Sequence, residues 1–192
     1  MKRSEINKAI KDADLFFTKN CWTLPPNPRW DVTDFGLGSF VHCGLVLVNL
    51  AEEEEYCEKL MYATQGQVTP SHTHRKKKED IICRSGVLIV QLWANDPQLE
   101  KTEATFNVKV NGQGCLITSG KKITLEAGNR VTIESGVWHE FYPESAECII
   151  GEVSTANDDL NDNFFSNKEI GRYTRIIEDE LIIVRLVSET EL

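Results

Sequence analysis

The stretch His72-Thr73-His74, set between Gly66 and Gly86 and followed by Glu79, most narrows what this chain can become. On a β-strand, residues two apart share a face, so both imidazoles point the same way. The basic run Arg75-Lys76-Lys77-Lys78 must then turn the chain, returning Glu79 on the neighbouring strand. Glycines at both ends supply the backbone freedom that such turns need. Two neutral nitrogens and a carboxylate suit a divalent transition metal, although a lone His-x-His is as often a solvated pair. A second stretch shifts the balance. Gly128 to Gly136 frames another short strand, and His139 opens the next one. Three histidines and one carboxylate make four donors: His72, His74, Glu79 and His139. The remaining histidine, His42, reads as a core residue or one standing behind the donors.

Four such donors could close a tetrahedral structural zinc site or leave two positions open on an octahedral ion such as manganese or iron. The open site is preferred, because no set of four cysteines signals structural zinc and the mouth of a barrel faces solvent. Two adjacent open positions match a substrate with two neighbouring oxygens. The expected cofactor is one divalent ion, manganese first, with zinc, cobalt, iron or nickel as alternatives. A catalytic site of this kind would also need a group able to take up and release protons. Glu152 follows the apolar run Ile149-Ile150-Gly151, where desolvation would tune a carboxylate; the alternative is a strand end in water. Lys77 is either a site lysine or part of a solvated hairpin face, as Arg75, Lys76 and Lys78 are expected to be.

Along the rest of the chain, residues 4–19 predict a helix. Ser4 is its cap, and Ile6, Ala9, Ile10, Ala13, Phe16 and Phe17 recur on one face. That face must pack on a sheet or across a dimer. Residues 20–38 read as an extended arm broken by Leu24-Pro25-Pro26-Asn27-Pro28, with Trp30 and Phe35 as packing anchors. Short strands follow from about 41 to 153, among them 41–49, 56–63, 68–75, 79–83 and 147–153, with the hairpin signal Asn111-Gly112. A further strand is expected at 181–187, after a polar segment over 154–168. Many short strands without intervening helices indicate an all-β sandwich or barrel. The division is residues 1–40 as helix and arm, and 41–192 as the barrel.

The two histidine stretches resemble the two cupin motifs. The first fills every fixed position of G-x5-H-x-H-x4-E-x6-G. The second departs from its pattern at Glu134, where proline is usual, and at Pro143, where asparagine is usual. This implies a double-stranded β-helix, or jelly-roll. A narrower resemblance is to the D-lyxose isomerase family of cupin sugar isomerases. It rests on Gly36 to Phe40, Trp30-Asp31-Val32-Thr33, His72-Thr73-His74, Lys76 to Ile82, Asn95-Asp96, Gly151-Glu152-Val153-Ser154, Asn157-Asp158-Asp159, Asp162-Asn163 and Arg172-Tyr173. What the resemblance implies is a metal-dependent aldose–ketose isomerase acting on D-lyxose/D-xylulose and D-mannose/D-fructose. It further implies Lys77 as an essential lysine, Glu152 as proton shuttle, Asp162 and Arg172 near the sugar hydroxyls, and a homodimer.

Charge and cysteine content narrow the partners. The net charge of −9 disfavours a nucleic-acid binder. No stretch reaches membrane-spanning length. The six cysteines form no C-x-x-C pair, and no apolar leader opens the chain, so reduced thiols and a cytoplasmic setting are expected. Three other readings compete: a three-His, one-Glu dioxygenase, an isomerase of phosphorylated sugars, and a sugar-binding cupin without catalysis.

Overall fold

The computed structural model describes residues 1–99, 104–155, 158, 161–171 and 175–190. A helix, α1 (Arg3–Lys19), precedes the strands β1 (Arg29–Thr33), β2 (Leu45–Glu52), β3 (Tyr56–Thr64), β4 (Thr69–Thr73), β5 (Glu79–Ser85) and β6 (Val87–Trp93). Then come β7 (Thr105–Val110), β8 (Gln113–Thr118), β9 (Lys121–Glu126), β10 (Arg130–Ile133), β11 (Trp138–Pro143), β12 (Glu147–Thr155) and β13 (Phe164–Phe165), with a last turn of helix, α2 (Val187–Thr190). The strands form two sheets, ordered β1-β2-β3-β12-β5-β10-β7-β8 and β13-β4-β11-β6-β9. This is the all-β cupin architecture that the motifs imply.

Period-two alternation builds two cores on the two faces of the larger sheet. On β3, Met61 and Ala63 face the smaller sheet, whereas Leu60 and Tyr62 face the other way. On β12, Cys148 and Ile150 point inward and Ile149 outward. The outward side chains, with Val46 and Val48 of β2, are covered by Ile6, Ala9, Ile10, Ala13 and Phe17 of α1. Each large apolar side chain so buried contributes about 1.5–3 kcal/mol relative to exposure. The helix therefore spends its apolar face inside its own chain. Trp30 packs here as an anchor, while Phe35 joins the inner core.

Four expectations need correction. Ser4 does not cap α1. The cap is Lys2, whose N–H donates to Glu5 Oε2 at 2.7 Å, while Ser4 donates its N–H and hydroxyl to Asp179 of the C-terminal tail at 2.9 and 2.8 Å. The arm is not merely extended: Arg29–Thr33 pairs antiparallel with β2 and forms the edge of the larger sheet. The polar segment contributes the short strand β13, whose Phe165 pairs with His72. The strand expected at 181–187 does not form. Its backbone is held by a side chain instead, since the Asn7 amide donates to the Leu181 carbonyl at 2.8 Å and accepts from the Ile183 N–H at 3.4 Å. Leu186 then buries itself among the residues under α1.

One glycine of the first histidine motif has a plain steric reason. Gly86 turns β5 into β6 at φ +86°, and a Cβ there would collide with Ser145 Oγ and the Glu147 carbonyl.

Candidate active site

The four donors arrive from both sheets. On the smaller sheet His72 of β4 lies directly opposite His139 of β11, and their rings are tilted with centroids 4.0 Å apart. His74 follows just past the end of β4, 5.2 Å from the His72 ring. Glu79, the first residue of β5, reaches across from the larger sheet. All four are buried, and their ligand atoms lie within 4.8 Å of one another.

Their hydrogen bonds leave the donor atoms facing one point. The Nδ1 atoms of His72 and His74 each lie 2.7 Å from a carbonyl, of Pro70 and Asp162 respectively. A carbonyl only accepts, so each Nδ1 carries the proton and each Nε2 presents a lone pair. Burial first, then the neighbouring imidazoles, push the His72 pKa well below its usual value; burial also lowers that of His74. Both are neutral, as ligation requires. His139 Nε2 stands 2.8 Å from Glu79 Oε1, yet the two do not form an aligned hydrogen bond, and His74 Nε2 is likewise without one. Buried polar atoms left so are rare. Their close approach matches adjacent ligands on one ion with bonds of about 2.1 Å. The donor set fits a divalent metal.

The second carboxylate oxygen of Glu79 points away from this cluster. Lys77 Nζ lies 2.9 Å from Glu79 Oε2 and 3.0 Å from Glu152 Oε1, and Lys59 Nζ lies 3.7 Å from the same Glu152 atom. Burial alone would raise the Glu79 pKa, but Lys77 and then His139 more than offset it and hold the carboxyl well below its usual range. Beside the neutral imidazoles, an alternating series of buried charges thus runs from Glu79 through Lys77 and Glu152 to Lys59. It opens into a cavity of about 720 Å³ between the sheets, which also reaches Asp31, Asn49, Phe165 and Ser188.

Several expected residues take other places. Lys77 is buried, whereas Arg75 and Lys76 are exposed and Lys78 pairs with Glu134 at 2.7 Å. Asp162 does not face the cavity as a sugar contact. Its carboxylate accepts the backbone N–H groups of Arg75, Lys76 and Lys77 at 2.9–3.2 Å. Against the opposing effect of burial, these three donors lower its pKa. Asp162 therefore braces the turn that carries Lys77 inward. His42 is exposed rather than a core residue. Arg172 lies outside the described residues. Lys59 belongs to no motif in the sequence, although its place two before Met61 on an alternating strand marks it as inward-facing.

Fold and donor set together define a cupin with a candidate metal centre in a cavity lined by both polar and apolar side chains. Residues 28–190 match the family described as D-lyxose isomerase, and the chain belongs to that family. It is 34% identical to the D-lyxose/D-mannose isomerase of Escherichia coli O157:H7, over 98% of this chain and 98% of the relative. It is 32% identical to the enzyme of the same name from Serratia proteamaculans, over 94% and 93%. Among solved structures, the L-ribose isomerase of Cellulomonas parahominis shares the fold with a TM-score of 0.69 at 17% identity, covering 92% of this chain and 98% of that one. The protein is an aldose–ketose isomerase.

Proposed function

We propose that the protein interconverts D-lyxose with D-xylulose, and D-mannose with D-fructose, by proton transfer beside a divalent metal. The observation that carries this reading is Lys77 Nζ bridging Glu79 and Glu152 at 2.9 and 3.0 Å, next to the donor cluster and open to the cavity. His72, His74, Glu79 and His139 would hold the ion, manganese first. When bound, it supplies Lewis-acid polarisation of the sugar carbonyl and orients the neighbouring hydroxyl.

Glu152 takes the proton from C2 of the open-chain aldose as the C1–C2 double bond of an enediol forms, exchanges it with solvent while the enediol persists, and delivers a proton to C1. Lys77 donates a proton to O1 and recovers one from O2. The net change moves one hydrogen from C2 to C1 and one from O2 to O1, with no other reactant. Lys59 restrains Glu152 from the far side. The relatives' names support the choice of sugars. A homodimer in the cytoplasm is part of the same proposal; six free thiols and the exposed Leu181, Ile182 and Ile183 are in keeping with it.

The test is to strip the protein with chelator, restore manganese, and follow D-lyxose in deuterated water by NMR. Xylulose with solvent deuterium at C1 is the expected result. Xylulose without deuterium would keep the isomerase and leave either a hydride shift or a base shielded from solvent. No conversion of D-lyxose or D-mannose with any divalent ion would overturn the assignment of substrates.

A further inference from the structure

We propose that Asn49 is a specificity-determining residue that reads the terminal hydroxyl of the bound sugar, an inference resting on the isomerase reading above. Asn49 lies on the inner face of β2, in line with Leu45 and Leu47, and lines the cavity. The strand registers put Asn49 opposite Lys59, and Lys59 opposite Glu152. These three polar side chains thus form one row across three neighbouring strands. Strands are spaced about 4.8 Å apart, so Asn49 sits about 10 Å from Glu152 along the row. An open five- or six-carbon chain, with its reacting carbons at Glu152 and a hydrogen bond at its far end, spans that interval.

The polar groups around Asn49 are engaged elsewhere. Asp31 Oδ1 accepts from the Val32 N–H at 3.1 Å and the Ser188 hydroxyl at 2.8 Å. Glu52 pairs with Arg29 at 2.9 Å. Asn49 Oδ1, by contrast, is buried and has no hydrogen-bond partner among the described residues. Asparagine is disfavoured in strands, and a buried amide oxygen without a donor is the kind of exception that calls for a cause. A ligand hydroxyl supplies one, because it both donates and accepts, as does the amide. The register also slips between Asn49 and Ala51. Such bulges re-aim a side chain beside a site.

The experiment compares kcat/KM for D-lyxose and 5-deoxy-D-lyxose in the manganese-loaded parent and in Asn49→Leu, which keeps the shape and removes the amide. The parent is expected to favour the hydroxylated sugar. In the variant that preference should shrink about tenfold, by a loss on D-lyxose with 5-deoxy-D-lyxose unchanged. Taking the ratio between proteins cancels differences in the ring forms of the free sugars. Asn49→Ala, which adds no bulk, must shift the same ratio, and thermal melting of both variants excludes unfolding as the cause. Equal losses on both sugars, or no loss on either, would overturn the role of Asn49. Calorimetric binding of the two sugars separates this outcome from failure of the isomerase reading. Binding that depends on Asn49 without turnover would sink the reaction and keep the inference; neither binding nor turnover would sink both.

Discussion

The two sheets bring opposite chemistry to the cavity. The smaller sheet supplies three imidazoles, of which His72 and His74 are held neutral by burial and by carbonyls at Nδ1. The larger sheet supplies Glu79, Glu152 and Lys59, with Lys77 on the turn between the sheets. A neutral ligand needs only desolvation and one carbonyl. A buried carboxylate needs a cation within reach, or it would take up a proton. The nitrogen side is therefore self-sufficient, whereas the carboxylate side works only as an alternating set. Glu79 belongs to both, with one oxygen toward the imidazoles and the other toward Lys77.

Breaking that shared residue should have the largest effect. Glu79→Gln weakens the donor set and removes one of the two carboxylates that flank Lys77; bound manganese, measured by elemental analysis, should fall severalfold and turnover should vanish. Retention of full metal content would break the proposed division between the sheets. Glu152→Gln lies wholly on the charged side and should separate the two functions. Metal content is expected to be unchanged, with kcat down about 10²–10⁴-fold, the range for a lost general base. Near-parent kcat would remove Glu152 from proton transfer.

The smallest effect is expected far from the cavity, where the tail is tied to α1. Fully buried Arg3 binds Glu178 at 2.7 Å and Glu189 at 2.6 Å. Arg3 hydrogen bonding lowers the Glu178 pKa, and for Glu189 the same contact outweighs the opposing effect of burial. Carboxyls with lowered folded pKa values stabilise fully above their ordinary value of 4.5 and lose that contribution as pH falls through the folded values. Arg3→Met should thus lower the melting temperature near neutrality, with kcat little changed. In acid the difference in melting temperature from the parent should shrink. A gap that stays constant down to pH 3 would show that packing, not charge, makes the latch.

Local spacing made much of this protein legible. His72, His74, Glu79 and His139 could be grouped because period two and glycine-framed turns constrain side-chain direction over a few residues. The same alternation made most strands of the two sheets readable, and the apolar face of α1 followed from its own periodicity. Long-range partners were beyond its reach. Asp162 is an ordinary acid in a polar loop until the fold brings the N–H groups of residues 75–77 onto it. Residues 181–187 have the composition of a strand, but Asn7 of α1 takes up their backbone groups instead.

By itself, then, the sequence determined the class of sheet, the donor set and the family to which the motifs belong, since these depend on residue type and short spacing. Only the tertiary structure decided that Lys77 turns inward while Lys76 stays in solvent, that Glu152 meets it, and that Lys59 and Asn49 extend the row. Those outcomes depend on which strands become neighbours and in what register; a shift of one residue would turn Glu152, Lys59 and Asn49 to the opposite face.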